Sequence, residues 1–231
     1  MATRLISTWR DPFGEGFSLC HFRKIAIPSG LTVLVGCNGS GKSTLLRNIQ
    51  AELKKESIPV YYFNNADPET RSIGTSIAHE DFETASAHMS ASEGENINIS
   101  LIQFFKRMPE FMKTGRITDQ FTKLRDLTHP YTPPVTNERW LLLDAVDSGH
   151  SIDNTMEVKE VLHAFLTDMT NKGYTVYILL AGNTYELADS ESCMDVTTGR
   201  MKTFTSYKEY KKCILETRKK KDKRNARLQN T

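Results

Sequence analysis

Two short runs hold the side chains able to do chemistry. The first, GCNGSGKST over 36–44, fits the pattern G-x-x-x-x-G-K-[ST]. Gly36, Gly39 and Gly41 let a backbone curl until its N–H groups face phosphate oxygens. Lys42 can then reach the β- and γ-phosphates of a nucleotide, and Ser43 offers a hydroxyl to Mg²⁺. Cys37, Asn38, Ser40 and Thr44 complete the run, which is the candidate cofactor-binding loop. The second run, RWLLLDAVDSGHS over 139–151, is an apolar strand pattern ending in Asp144, a candidate metal ligand. Hydrolysis would call for a second carboxylate beside it to orient a water, and Ala145 stands there instead.

These residues need strands and helices to hold them. LTVLVG (31–36) is a short β-branched run closed by glycine, and GKSTLLRNIQAELKKE turns helical, with Leu45, Leu46, Ile49 and Leu53 on one face. The phosphate loop therefore sits between a strand and a helix, the context it requires. Further buried strands are expected at 58–63, 140–144 and 174–182, with a helix over 154–169 between the last two. Strand, helix, strand in this order predicts an α/β fold with a mostly parallel sheet. The opening stretches TRLISTW and FSLCHFRKIAI alternate as antiparallel strands do. Residues 97–108 predict a helix, and 109–138 a surface insertion ending in a Pro-rich linker.

Composition bounds the rest. The chain has 231 residues, 39% hydrophobic and 25% charged, as a globular domain would. The N-terminus lacks a signal-peptide pattern and no run approaches the length that spans a bilayer, so the expectation is a cytoplasmic protein (host cytoplasm if viral) without a membrane partner. Four scattered cysteines, without a C-x-x-C pair, predict ordinary reduced thiols. The net charge of +2 hides an asymmetry: residues 208–231 hold ten Lys/Arg against three Asp/Glu. That tail could meet DNA or RNA, or be a solvated, fraying helix.

The loop NGSGKST resembles that of the ABC-type ATPase superfamily, including its SMC-like branch. Other phosphate-loop classes fit less well: a GTPase would need N-K-x-D, and NNAD (64–67) lacks the lysine. The resemblance implies a P-loop NTPase of ABC type, ATP and Mg²⁺ as cofactors, and an ATP-dependent homodimer. SASEGEN (90–96) looks like a variant of the family's signature loop, with Ser92, Gly94 and Glu95 at its positions and Glu93 replacing the first glycine; an ordinary N-capping serine is the plain alternative. Asp144 fits the magnesium position, Asp147 to Ser151 the dimer-contacting D-loop, and Ala145 the place of the catalytic glutamate, for which Asp147 or His150 would be the substitute base, though neither has the expected spacing. Asn183 in AGNTYELA takes the place of the switch histidine, or caps the helix that follows.

NNADPE (64–69) occupies the Q-loop without its glutamine, CMDVTTGRMKTF resembles the closing hairpin with Gly199 in its turn, and Trp9, Arg10, Phe13 and Phe17 are candidates for the adenine face. Lys42 and Ser92 are only 50 positions apart, so the helical insertion (about 64–138) is reduced and no coiled coil intervenes. The implied organisation is an ATPase domain over 1–205 and a basic helix or tail over 206–231. Such a chain resembles small stand-alone bacterial or phage ATPases. With alanine at 145 it would bind ATP and dimerise while hydrolysing slowly, either because a native glutamate was replaced to trap the ATP state, the favoured explanation, or as a natural ATP-gated nucleic-acid clamp or sensor. A partner protein is a further expectation. A transporter subunit or a nucleotide kinase fits less well.

Overall fold

A computed structural model describes residues 2–8, 24–65 and 93–228. The strands β1 Thr3–Ser7 and β2 Lys24–Pro28 pair antiparallel, as the alternation at the N-terminus predicts. The main sheet has the order β4-β5-β6-β3-β7-β8. It contains β3 Gly30–Val35, β4 Val60–Asn64, β5 Glu138–Asp144, β6 Thr175–Ala181, β7 Cys193–Asp195 and β8 Arg200–Lys202. All neighbours run parallel except the β7–β8 hairpin, whose turn holds Gly199 at φ 63°.

Helices cover both faces, and the strand residues divide between them with a period of two. Leu141, Leu143, Ile178 and Leu180 pack on one face with Val33 and Val35, while Trp140, Leu142, Tyr177 and Leu179 pack on the other with Leu34. The Trp140 and Tyr177 rings stack at 4.2 Å. The helices are α1 Lys42–Lys55, α2 Glu93–Thr114, α3 Gln120–Thr128, α4 Ile152–Asn171, α5 Tyr185–Ala188 and α6 Tyr207–Leu228. On α1 the buried residues include Leu45, Leu46, Ile49 and Leu53, the face expected from their spacing.

The region expected to be a surface insertion is largely exposed over 123–137, as expected, but its first residues differ. Helix α2 runs on through Pro109 to Thr114, because Phe104, Met108, Phe111 and Met112 form one buried stripe against the core. Burying four such side chains contributes several kcal/mol at about 1.5–3 kcal/mol each, more than the ~3 kcal/mol an internal proline costs. Buried Arg139 of β5 donates from Nε to the Met112 carbonyl at 2.9 Å, satisfying one of the carbonyls the helix end leaves open. Asp119 and Thr122 then form a capping box that starts α3.

Candidate phosphate-binding site

The parallel sheet brings the carboxyl ends of β3, β5 and β6 to one edge. In register, Asp144 of β5 stands beside Ala181 of β6 and Asn64 of β4. Strand β6 lies between the strand that feeds the phosphate loop and the one that ends in Asp144. A cleft of about 360 Å³ opens there, lined by Asn38, Gly39, Gly41 to Thr44, Asp144, Ala145, Ala181 and Asn183. Two segments singled out separately by their motifs, with Asn183, thus form one site.

The loop is built for close backbone approach. Gly39 and Gly41 have φ of 72° and 100°, which side chains with a Cβ rarely adopt. A Cβ on Gly36 would lie 2.5 Å from Ser40 Oγ and 2.8 Å from Val196 Cγ2. The α1 N-cap is Gly41, without a side-chain cap and without an acidic residue in the first turn. Its first N–H groups thus receive no acceptor from the cap residue or from an acidic side chain of the first turn, and the helix dipole adds positive potential where Ser43 and Thr44 line the cleft. These features fit a phosphate group.

Lys42 is buried, and its Nζ donates to the Gly36 carbonyl at 2.8 Å and to Asn183 Oδ1 at 3.0 Å. Burial lowers its pKa, and Asp147, Cys37 and Asp144 oppose that shift through their charge. Asn183 is not the cap of the helix that follows, since Thr184 holds that place. Its side chain instead accepts from the phosphate-loop lysine, and its carbonyl accepts from Tyr210 Oη at 2.7 Å.

Asp144 is buried, and Tyr62 of β4 donates to its Oδ2 at 3.0 Å. Burial and the neighbouring carboxylate push the Tyr62 phenol up to about 12, so it stays a donor at neutral pH. The other Asp144 oxygen and the Ser43 hydroxyl are the donors that suit a magnesium ion. Among the described residues no group of three or more His, Cys, Asp or Glu could hold a metal, so a cation here would rely on these groups and on bound phosphate.

Ala145 lines the cleft at φ 54°, and Ser148 N–H closes the turn on its carbonyl at 3.0 Å. Asp147 is buried, with its Oδ2 accepting from the backbone N–H groups of Asn183 and Thr184. It ties the Asp144 turn to the segment that presents Asn183. Neither ring nitrogen of His150 has a hydrogen-bond partner among the described residues, and burial lowers its pKa against the opposing charge of Asp147.

The remaining candidates are distributed differently. Gly94 and Glu95 fall in the first turn of α2, while Ser92 lies outside the described residues. Trp9, Arg10, Phe13 and Phe17, and 66–69 of the Q-loop run, also lie outside them. Tyr62, Tyr210, Thr217 and Lys221 escape sequence reasoning, because only the strand order and the packing of α6 bring them near the loop. Among the described residues no helix is long and apolar enough to cross a membrane.

No family model matches this chain. Among curated proteins, too, none matches. Among solved structures, a nucleotide-free ATP-binding cassette from an ABC transporter is similar at 14% identity, covering 93% of this chain and 94% of that one, with a TM-score of 0.43. That superposition is too loose to carry a fold or a function across.

Proposed function

We propose that this chain is an ATP-binding protein of ABC type, on the SMC-like side of that superfamily. The observation that carries the reading is the buried Lys42 ammonium, held between a loop carbonyl and Asn183 in a cleft that also presents Asp144 and an uncapped helix start. A triphosphate entering the cleft would take N–H groups of the loop and α1, and Lys42 would exchange Asn183 Oδ1 for a phosphate oxygen. Asn183, released from Lys42, can donate through its amide to the γ-phosphate but cannot carry a proton.

Magnesium, when bound, neutralises phosphate charge. Asp144 and Ser43 are the residues that would hold it, and the Tyr62 hydrogen bond orients the Asp144 carboxylate. Alanine at 145 accepts no proton from an attacking water. A missing general base lowers turnover by about 10²- to 10⁴-fold, so binding outlasts hydrolysis in this chain.

Two copies would sandwich two nucleotides, with Ser92 and Gly94 of one chain facing the phosphates held by Gly36 to Thr44 of the other. The test is the ATPase rate and the mass in solution with ATP–Mg²⁺, for this chain and for Ala145→Glu. Faster turnover in the variant and an ATP-dependent dimer support the sandwich; no gain and a monomer with ATP remove it.

The second reading, an ATP-gated nucleic-acid clamp acting in the cytoplasm, draws on α6. Lys208, Lys211, Lys212, Arg218, Lys219, Lys220 and Lys223 are all exposed on it. Binding to DNA that weakens with salt, and is lost when exposed lysines of α6 are neutralised, supports it; salt-insensitive binding or none counts against it.

A further inference from the structure

The basic C-terminal helix is docked on the phosphate loop along one face. Tyr210, Cys213 and Thr217 are buried, and with Lys221 they follow the spacing of a single helical stripe. Tyr210 contacts Phe204 edge-on at 5.6 Å and reaches Asn183 through its hydroxyl, which fixes the register of the stripe. One turn apart beyond it, Thr217 and Lys221 each touch the loop backbone. Thr217 Oγ1 accepts from the Cys37 N–H at 2.9 Å while donating to Ile214 O, and Lys221 Nζ donates to the Asn38 carbonyl at 2.8 Å.

These contacts orient two peptide units. Every described peptide bond is trans, so the C=O and N–H of one unit point opposite ways. In the Gly36–Cys37 unit, the carbonyl accepts from Lys42 and the N–H donates to Thr217. In the Asn38–Gly39 unit, Lys221 draws the carbonyl toward α6, which turns the Gly39 N–H away from the helix. Asn38 and Gly39 both line the cleft. Lys221 also lies close over the loop: a Cβ on Gly39 would come within 2.4 Å of its Nζ.

We infer that Thr217 and Lys221 are positioning residues of the phosphate site, holding the loop's peptide units in the orientation that polyphosphate needs. The inference rests on the phosphate-binding reading and adds to it a role for the C-terminal helix, which the loop motif does not include. It also means that removing the tail from 218 onward would disturb the nucleotide site together with any nucleic-acid contact.

The test measures ATP and tripolyphosphate affinity, the latter by displacement of a fluorescent ATP analogue, alongside thermal unfolding. The proteins are the full chain, Lys221→Met, Lys221→Arg, Thr217→Val and Thr217→Ser. Loss of one such hydrogen bond predicts about a tenfold weakening of both ligands in Lys221→Met and Thr217→Val. Lys221→Arg and Thr217→Ser, which keep a donor and a hydroxyl, should recover most of it, with the Lys221 variants melting like the parent. If the parent binds ATP and Lys221→Met binds it equally well, this inference fails while the phosphate-binding reading stands. Loss that appears only with a matching fall in unfolding temperature, and that the conservative variants do not restore, also overturns it. If the parent binds neither ligand, both fall.

Discussion

Asp147→Ala is the perturbation whose size the structure defines most closely. Asp147 is 8% exposed, and one of its carboxylate oxygens accepts two backbone N–H groups, those of Asn183 and Thr184. Alanine leaves both donors without that acceptor, at about 1–3 kcal/mol each. It also removes a negative charge that favours the buried Lys42 ammonium. Water entering the space would recover part of the loss, so the expected destabilisation is about 2–4 kcal/mol. For a chain of this length that lowers the unfolding temperature by roughly 5–15 °C. Asp147→Asn keeps an acceptor oxygen and should lose about half as much. Urea unfolding followed by circular dichroism measures the difference, and thermal unfolding checks it. A variant within about 0.5 kcal/mol of the parent, the scatter expected of surface sites, would refute the assignment of Asp147 as the tie between the two segments.

Other outcomes follow from the same geometry. Ala145→Glu should raise ATP turnover by about 10²- to 10⁴-fold in a phosphate-release assay, without a large change in stability, since both residues meet the same φ of 54°. Gly36→Ala should weaken nucleotide binding and lower stability by about 1–3 kcal/mol, because its Cβ would meet Ser40 and Val196 inside normal contact distance. Asp195 gives a pH signature. Burial would raise its pKa, but hydrogen bonds from Thr197 and Lys202 outweigh burial and hold it below the usual carboxylate value. Its contribution is therefore present above the ordinary carboxylate pKa and is lost as pH falls through the lowered one. Asp195→Asn should be less stable than the parent at pH 7, with the gap closing in acid; a gap independent of pH between about 7 and 2.5 would contradict this.

Much of the scaffold is legible because its signals are local. Glycines 36, 39 and 41, the strand before them and the apolar stripe of α1 are patterns a short window contains, and the structure places them as that pattern predicts. Asp144 is legible as a strand terminus for the same reason. The path of α2 is not, because Pro109 is a local stop signal that the burial of Phe111 and Met112 overrides. Tyr62 is hidden because its link to Asp144 spans 82 positions and depends on β4 pairing with β5. The C-terminal helix shows the same limit. Its lysines dominate the composition of 206–231, while the buried residues that dock it, Tyr210 and Cys213 on the core and Thr217 on the phosphate loop, are visible only once those partners are in place.

Binding of a nucleoside triphosphate at Lys42 is measured by calorimetric titration of ATP–Mg²⁺ into the full chain and into Lys42→Ala. Saturable binding with one nucleotide per chain is expected, weakened at least tenfold in the variant, whose circular dichroism and cooperative unfolding show that it still folds after losing the donor to the Gly36 carbonyl and Asn183 Oδ1. Equal affinity in the two proteins, or no binding to the parent, would contradict it.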